Sequence, residues 1–116
     1  MSLKEMNIKQ ITETDLFKEN AKKLLDLLWE SRIKAKMKAA NRNQMLKAHP
    51  IDTLKKSGDW EIETFPKAFI AVLDKESKHS ANCRQYINEV GTNVLMQTIK
   101  KMQEDEKKED GDNGAD

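Results

Sequence analysis

Between Thr14 and Pro50 the chain runs for about nine helical turns without a proline or a glycine. Apolar residues recur there at helical spacing, and no part of the sequence alternates between apolar and polar residues as a strand does. Thr14 or Asp15 can cap the start, and Pro50 ends the helix because proline lacks an amide donor. The sequence therefore predicts a long first helix, with an alternative in which Asn41–Asn43 interrupts it.

Two apolar stripes run along this predicted helix when its residues are placed about 100° apart. The expected buried stripe consists of Phe17, Ala21, Leu24, Leu25, Leu28, Ala35, Ala39 and Leu46. The second stripe lies on a roughly opposite face and consists of Ile33, Met37, Ala40, Gln44 and Ala48. A helix that is apolar on two sides is either central in its bundle or touches a second molecule. We therefore take Ile33, Met37, Ala40 and Gln44 as candidate contacts with a second copy or a protein partner.

Two further helices are expected after Pro50. Thr64 is positioned to cap the first, whose predicted buried face contains Phe65, Ala68, Phe69, Val72 and Leu73. Ser80 is positioned to cap the last, whose predicted stripe contains Cys83, Ile87, Val90, Val94 and Thr98, widened by Leu95, Ile99 and Met102. Glycine inside a helix costs about 1 kcal/mol relative to alanine, so we expect another helix to approach closely at Gly91.

The charges are unevenly distributed along the chain. The 21 basic and 20 acidic residues nearly cancel, yet Glu104–Asp116 holds seven acids and two lysines, and the remainder is therefore +6. The last residues contain nothing apolar larger than alanine, so they cannot offset the entropy of ordering. We expect a single helical domain over residues 1–106 and a disordered acidic tail over residues 107–116. The favoured interpretation is a tail that only solvates the protein, and the alternative hypothesis is that it screens the basic segment from non-specific anionic partners.

The fold class that follows is all-α: a small bundle of three to four helices with a long first helix and the disordered tail. A mean hydropathy of -0.83 argues against a membrane-spanning segment, and we expect no membrane partner. Charged residues appear as early as Lys4, so we expect no secretory signal and a cytoplasmic location.

One segment of this predicted bundle is strongly basic. Ser31–Ile51 contains no acid and six cations, namely Arg32, Lys34, Lys36, Lys38, Arg42 and Lys47. Such a segment is suited to phosphate contacts with DNA or RNA. Further positive charge comes from Lys78 and Arg84, which lie around the start of the last predicted helix. The first turn of the last helix contains Asn82, Arg84 and Gln85, and a DNA-binding helix-turn-helix motif contacts bases from this position of its second helix. Any helical hairpin gives the same pattern, however. A solvated helix face is the alternative interpretation of the whole segment.

Catalytic chemistry finds little support in the sequence. It contains no phosphate loop, nucleophile elbow or paired cysteine motif, and one cysteine with two histidines makes a poor zinc site. His79 and Cys83 form a weak candidate for thiol activation, with a core cysteine as the favoured alternative. Trp29 and Trp60 are assigned to the core in preference to an interface. We expect no catalytic residue, no metal and no cofactor.

These observations predict a non-enzymatic helical binding or regulatory protein that contacts nucleic acid through its basic segment. The alternative is a protein–protein interaction module, or a homodimeric accessory subunit, with no nucleic-acid contact. The two differ in their response to salt, because phosphate contacts weaken steeply with added salt and an apolar helix contact barely changes.

Overall fold

The computed structural model describes residues 6–114, with side chains as far as Glu106. Within this range every regular element is a helix: α1 (Ile8–Thr12), α2 (Asp15–Asn41), α3 (Pro50–Ser57), α4 (Phe65–Leu73) and α5 (Ala81–Gly114). The all-α prediction is confirmed, but the predicted three to four helices are too few, and the first long helix is the second in order. The predicted tail, residues 107–116, lies outside the residues with described side chains and stays a prediction.

The helix that the sequence reasoning missed, α1, is short and begins with a reciprocal cap. The side chain of Asn7 accepts a hydrogen bond from the Gln10 amide at 2.9 Å, and the side chain of Gln10 accepts one from the Asn7 amide at 2.9 Å. Met6 and Ile11 stand at the two positions of a hydrophobic staple; Ile11 belongs to the buried core, and Met6 is partly buried and packs against it. The Asn-x-x-Gln spacing was the signal that could have revealed this helix.

The long helix α2 begins where the sequence predicts and ends earlier than Pro50. Its cap is Thr14, whose hydroxyl accepts the Phe17 amide at 3.2 Å. At its other end Asn43 adopts a left-handed conformation with φ 52°, and the Gln44 amide donates to the Ala39 carbonyl at 2.8 Å. This is a Schellman motif, which closes a helix by satisfying its last carbonyls. The alternative in which Asn41–Asn43 interrupts the helix is therefore correct.

Pro50 starts a helix instead of ending one. It is the first residue of α3, a position that proline tolerates because the amide there has no helical partner. The ring Nδ1 of His49 accepts the Ile51 amide at 3.1 Å and caps this helix. The prediction that His49-Pro50 terminates the long helix is wrong, since residues 44–49 form an irregular connector between α2 and α3.

The two long helices run antiparallel through the middle of the bundle. Asn20 of α2 donates to the Thr98 hydroxyl of α5 at 3.0 Å. Further along α2, the Leu25 carbonyl accepts the Trp60 indole N–H at 3.0 Å, and that indole stacks on Tyr86 with 5.4 Å between ring centroids. Moving forward along α2 thus means moving backward along α5. Trp60 is buried, in agreement with its assignment to the core.

The close approach expected at Gly91 is present, and the neighbour is α4. A Cβ placed on Gly91 would lie 2.2 Å from Cδ1 of Phe69, so only glycine fits there. Phe69 is fully buried and stacks on Phe17 of α2, with ring centroids 6.5 Å apart. Gly91 therefore allows α4 and α5 to pack at a distance that brings α2 into the same core.

The predicted buried faces are largely correct. All five residues of the α5 stripe are buried, and so are Phe65 and Phe69 of α4, whereas Leu73 is exposed. In the stripe assigned to the long helix, Ala35 and Leu46 are also exposed, and Leu46 lies beyond the end of α2. Thr64 precedes α4, but its hydroxyl donates to the Gly58 carbonyl at 2.6 Å and does not cap the helix.

Candidate functional site

The most exposed part of the described structure is the segment from residue 33 to residue 48, which we call the arm. It comprises the last turns of α2 and most of the connector that follows, and Ala39 is its only buried residue. The antiparallel pairing explains why. Asn20 and Thr98 are hydrogen-bonded and therefore lie at the same level of the bundle. The start of α5 lies 17 residues before Thr98, and the residue 17 positions after Asn20 on α2 is Met37. Beyond that level α5 no longer covers α2.

Large apolar side chains are concentrated on the arm. Eight of them are exposed in the part of the chain with described side chains, and four of the eight belong to the arm. Their exposed fractions are 39% for Ile33, 61% for Met37, 99% for Met45 and 41% for Leu46. Single exposed apolar residues are ordinary, whereas a cluster of this kind typically marks an interaction site.

Exposed cations lie among these apolar side chains. Lys34, Lys38, Arg42 and Lys47 are exposed, and none of them forms an ion pair with a residue whose side chain is described. Lys34 and Lys38 are four residues apart on α2, so they share a face next to the one that carries Ile33 and Met37. The arm contains no acid. It therefore presents a basic surface with apolar side chains in it.

Two of the predicted phosphate-binding cations have a structural role instead. Arg32 holds Asp52 of α3 through Nη2–Oδ2 at 2.7 Å and also donates to the Lys47 carbonyl at 2.9 Å. Its side chain is only 11% exposed. Lys36 reaches the other oxygen of Asp52 at 2.8 Å. Hydrogen bonds from Arg32, reinforced by Lys36, lower the pKa of Asp52 to about 2. These cations attach α3 and the connector to α2.

The other residues that were predicted to contact nucleic acid or a protein partner lie in separate parts of the structure. Lys78 lies in the connector before α5 and Arg84 in the first turn of α5, both exposed and away from the arm in sequence. Of the candidate partner contacts, Ile33, Met37 and Ala40 lie on α2 and are exposed, whereas Gln44 follows the end of the helix. The second stripe, predicted to run from Ile33 to Ala48, thus ends on the helix at Ala40, because the Schellman motif turns the chain there.

The hypothesised thiol activation has no geometric basis. The Nε2 atom of His79 lies 2.6 Å from Oδ2 of Asp59, and this pair joins the connectors on either side of α4. Cys83 lies on the buried face of α5, in the core. Among residues 6–106 no three histidine, cysteine, aspartate or glutamate side chains gather as metal ligands would. No helix in the described range is long and apolar enough to cross a membrane.

One shallow cleft competes with the arm as a candidate site. It measures about 370 Å³ and lies between α1, the start of α2 and α4. Its lining includes apolar residues of α4, and its charged side chains are of both signs: Lys9, Lys18, Lys67, Glu13, Glu63, Asp74 and Glu76. Because three lysines and four acids line the cleft together, its charge is mixed, whereas the arm carries cations and no acid and is the more distinctive surface.

No protein-family model matches the chain, and no curated protein or solved structure shows significant similarity to it. Its function therefore has to be inferred from the chemistry of its surface.

Proposed function

We propose that this chain is a non-enzymatic interaction protein whose arm binds an acidic, partly apolar segment of a partner protein. The observation that supports this proposal is the coincidence of two properties on residues 33–48. Half of the exposed large apolar side chains of the described residues lie there, together with four cations that have no ion-pair partner among them. Burial of apolar surface supplies affinity, and complementary charge supplies specificity and a faster association rate.

The arrangement on α2 indicates the shape of the partner segment. Ile33 and Met37 form an apolar stripe one turn long, and Lys34 and Lys38 flank it. An amphipathic helix with its apolar side chains at helical spacing and acids beside them is complementary to this face. Met45 and Leu46 on the connector extend the apolar part of the surface beyond the helix.

A homodimer formed by two arms is the less favourable alternative. In a twofold contact the same patch meets itself, so the stripe of Ile33 and Met37 would face its own copy. That arrangement would also bring Lys34 and Lys38 of both copies together with no acid on the arm to compensate. Like charges brought together oppose association, which favours a partner with acidic residues.

Nucleic acid is the second candidate, and the four unpaired cations favour it. If Lys34, Lys38, Arg42 and Lys47 each neutralised one phosphate, the logarithm of affinity for duplex DNA would fall against the logarithm of salt with a slope of about -3.6. A phosphate backbone offers nothing to the exposed side chains of Met37 and Met45, however. The apolar half of the arm therefore favours a protein partner.

A comparison of ligands separates the two candidates. The probes are a labelled amphipathic peptide with an apolar stripe flanked by glutamates, a scrambled peptide of the same composition, a DNA duplex and an RNA hairpin. Fluorescence anisotropy with the full chain is measured over a salt series. We expect the amphipathic peptide to bind more tightly than its scrambled form and to retain part of its affinity at high salt.

Variants of the arm then identify the contribution of each property. We expect Ile33→Ser with Met37→Ser to weaken the amphipathic peptide about tenfold or more, and Leu27→Ser, an exposed apolar position of α2 outside the arm, to leave it unchanged. Equal binding of the scrambled peptide would contradict the proposal. Tight DNA binding that is insensitive to the Ile33 and Met37 substitutions would instead favour the nucleic-acid function.

A further inference from the structure

The arm and the acidic end of the chain have opposite charges. The arm holds five cations and no acid, whereas Glu104–Asp116 has a net charge of -5. The simplest use of this complementarity is contact within one molecule, in which the tail covers the arm. The geometry of the two long helices argues against it.

The arm and the tail lie at opposite ends of the bundle. Asn20 and Thr98 mark a common level, because their side chains are hydrogen-bonded. Lys34 lies about 21 Å beyond Asn20 along α2, and Glu106 lies about 12 Å beyond Thr98 in the opposite direction. Lys34 and Glu106 are thus separated by about 33 Å along the bundle.

Of the acids after Glu106, only Asp116 could span this distance, and its reach is about 33–36 Å in a fully extended chain. Asp112, the sixth residue after Glu106, reaches at most about 20–22 Å even in a fully extended chain. Glu109 and Asp110 reach less far. In the structure α5 continues to Gly114, which carries these acids still farther from the arm. Within a single molecule the tail therefore brings at most one acid, Asp116, to the arm, which is too little charge to screen the basic segment.

We infer that the acidic tail of one copy binds the arm of a second copy, in a head-to-tail contact. Residues 104–116 are the occupant, and the unpaired cations Lys34, Lys38 and Arg42 are their counterpart. The inference shares the arm with the proposed function, but it does not need the apolar stripe. The tail has no apolar residue larger than alanine, so it leaves Ile33 and Met37 exposed.

Bound to the arm, the tail of the second copy competes through its charge alone with other ligands of the arm. This contact is weak and sensitive to salt, because it consists of exposed ion pairs alone. A partner that supplies apolar side chains as well as acids displaces it, whereas a merely acidic ligand competes with it on equal terms. Self-association thus raises the selectivity of the arm for amphipathic partners.

The first test is sedimentation velocity of the full chain at high protein concentration and low salt. We expect association that disappears at high salt. In a variant with a neutralised tail (Glu109→Gln, Asp110→Asn, Asp112→Asn and Asp116→Asn), we expect association to weaken about tenfold. Ile33→Ser with Met37→Ser is the matched control and leaves association unchanged.

A charge exchange makes the test independent of any loss of folding. One variant reverses the arm (Lys34→Glu, Lys38→Glu, Arg42→Glu), and the other reverses the tail (Glu109→Lys, Asp110→Lys, Asp112→Lys). We expect neither variant to associate alone and the mixture of the two to associate. A mixture that stays monomeric, or an association that persists after the tail is neutralised, would overturn the inference. Neither result would affect peptide binding to the arm, which is measured at protein concentrations below self-association.

Discussion

Replacement of Gly91 by alanine tests the packing of α4 against α5, and its two physical effects have opposite signs. Alanine stabilises a helix interior by about 1 kcal/mol relative to glycine. The new methyl group, however, would lie 2.2 Å from Cδ1 and 2.6 Å from Cε1 of Phe69, whereas unstrained carbon contacts are about 3.5–4.0 Å. Phe69 cannot move aside easily, because it is fully buried and stacked on Phe17.

The packing effect should be the larger one. Overpacking of a core costs about 1–3 kcal/mol and occasionally more, and three atoms of one ring are within 2.6 Å here. Contacts this short place the cost in the upper part of that range, about 2–3 kcal/mol, so after subtraction of about 1 kcal/mol of helix propensity we expect Gly91→Ala to lower the free energy of unfolding by about 1–2 kcal/mol. In a domain of this size that corresponds to a fall in Tm of roughly 4–8 °C.

Thermal and urea unfolding followed by circular dichroism measures this change. Thr92→Ala is the matched control, since Thr92 is exposed on the next position of α5 and should gain stability slightly. Phe69→Leu should relieve part of the clash, so the double variant should be less unstable than the sum of the two single variants predicts. A Gly91→Ala protein as stable as the wild type would refute the packing described for α4 and α5.

Three further predictions concern single groups. The pKa of Asp52 is lowered to about 2, so its ion pairs stabilise the fold above about pH 4, and this contribution is lost as the pH falls towards 2. Asp52→Asn should therefore lower the free energy of unfolding by about 1–2 kcal/mol at neutral pH in thermal melts. A stability difference from the wild type that persists at pH 2 would contradict this prediction. His49→Ala should lose about 1 kcal/mol of unfolding free energy with the cap of α3, while His49→Asn retains most of it in the same melts. Trp60→Phe should destabilise the protein in urea unfolding more than Trp29→Phe, because Trp60 is buried and hydrogen-bonded and Trp29 is only partly buried; equal effects would argue against the core position of Trp60.

The sequence predicted those parts of the fold that depend on local rules. Apolar periodicity identified the buried face of α5, and Thr14 and Ser80 cap the helices that they were expected to cap. The close approach at Gly91 was also predicted, because a glycine weakens a helix interior unless its missing side chain makes room for a neighbour. The partner helix could not be named, because nothing local in the sequence indicates that Phe69 packs there.

The errors arose where local signals compete. Asn43 ends α2 by adopting a left-handed conformation, which asparagine tolerates but does not require, so the periodicity alone could not decide between Asn41 and Pro50. The loss of Arg32 and Lys36 from the basic surface has a tertiary cause. Their common partner, Asp52, lies just outside the acid-free segment, and only folding brings it to them.

The role of the arm is best tested by mapping the surface that an acidic amphipathic peptide covers. Hydrogen–deuterium exchange of the full chain, with and without the labelled amphipathic peptide, measures the protection of the backbone amides in each segment of the chain. We predict that added protection is confined to residues 33–48. Protection at the cleft beside α4, or no change on the arm when the peptide is bound, would contradict the assignment of the arm as the partner-binding surface.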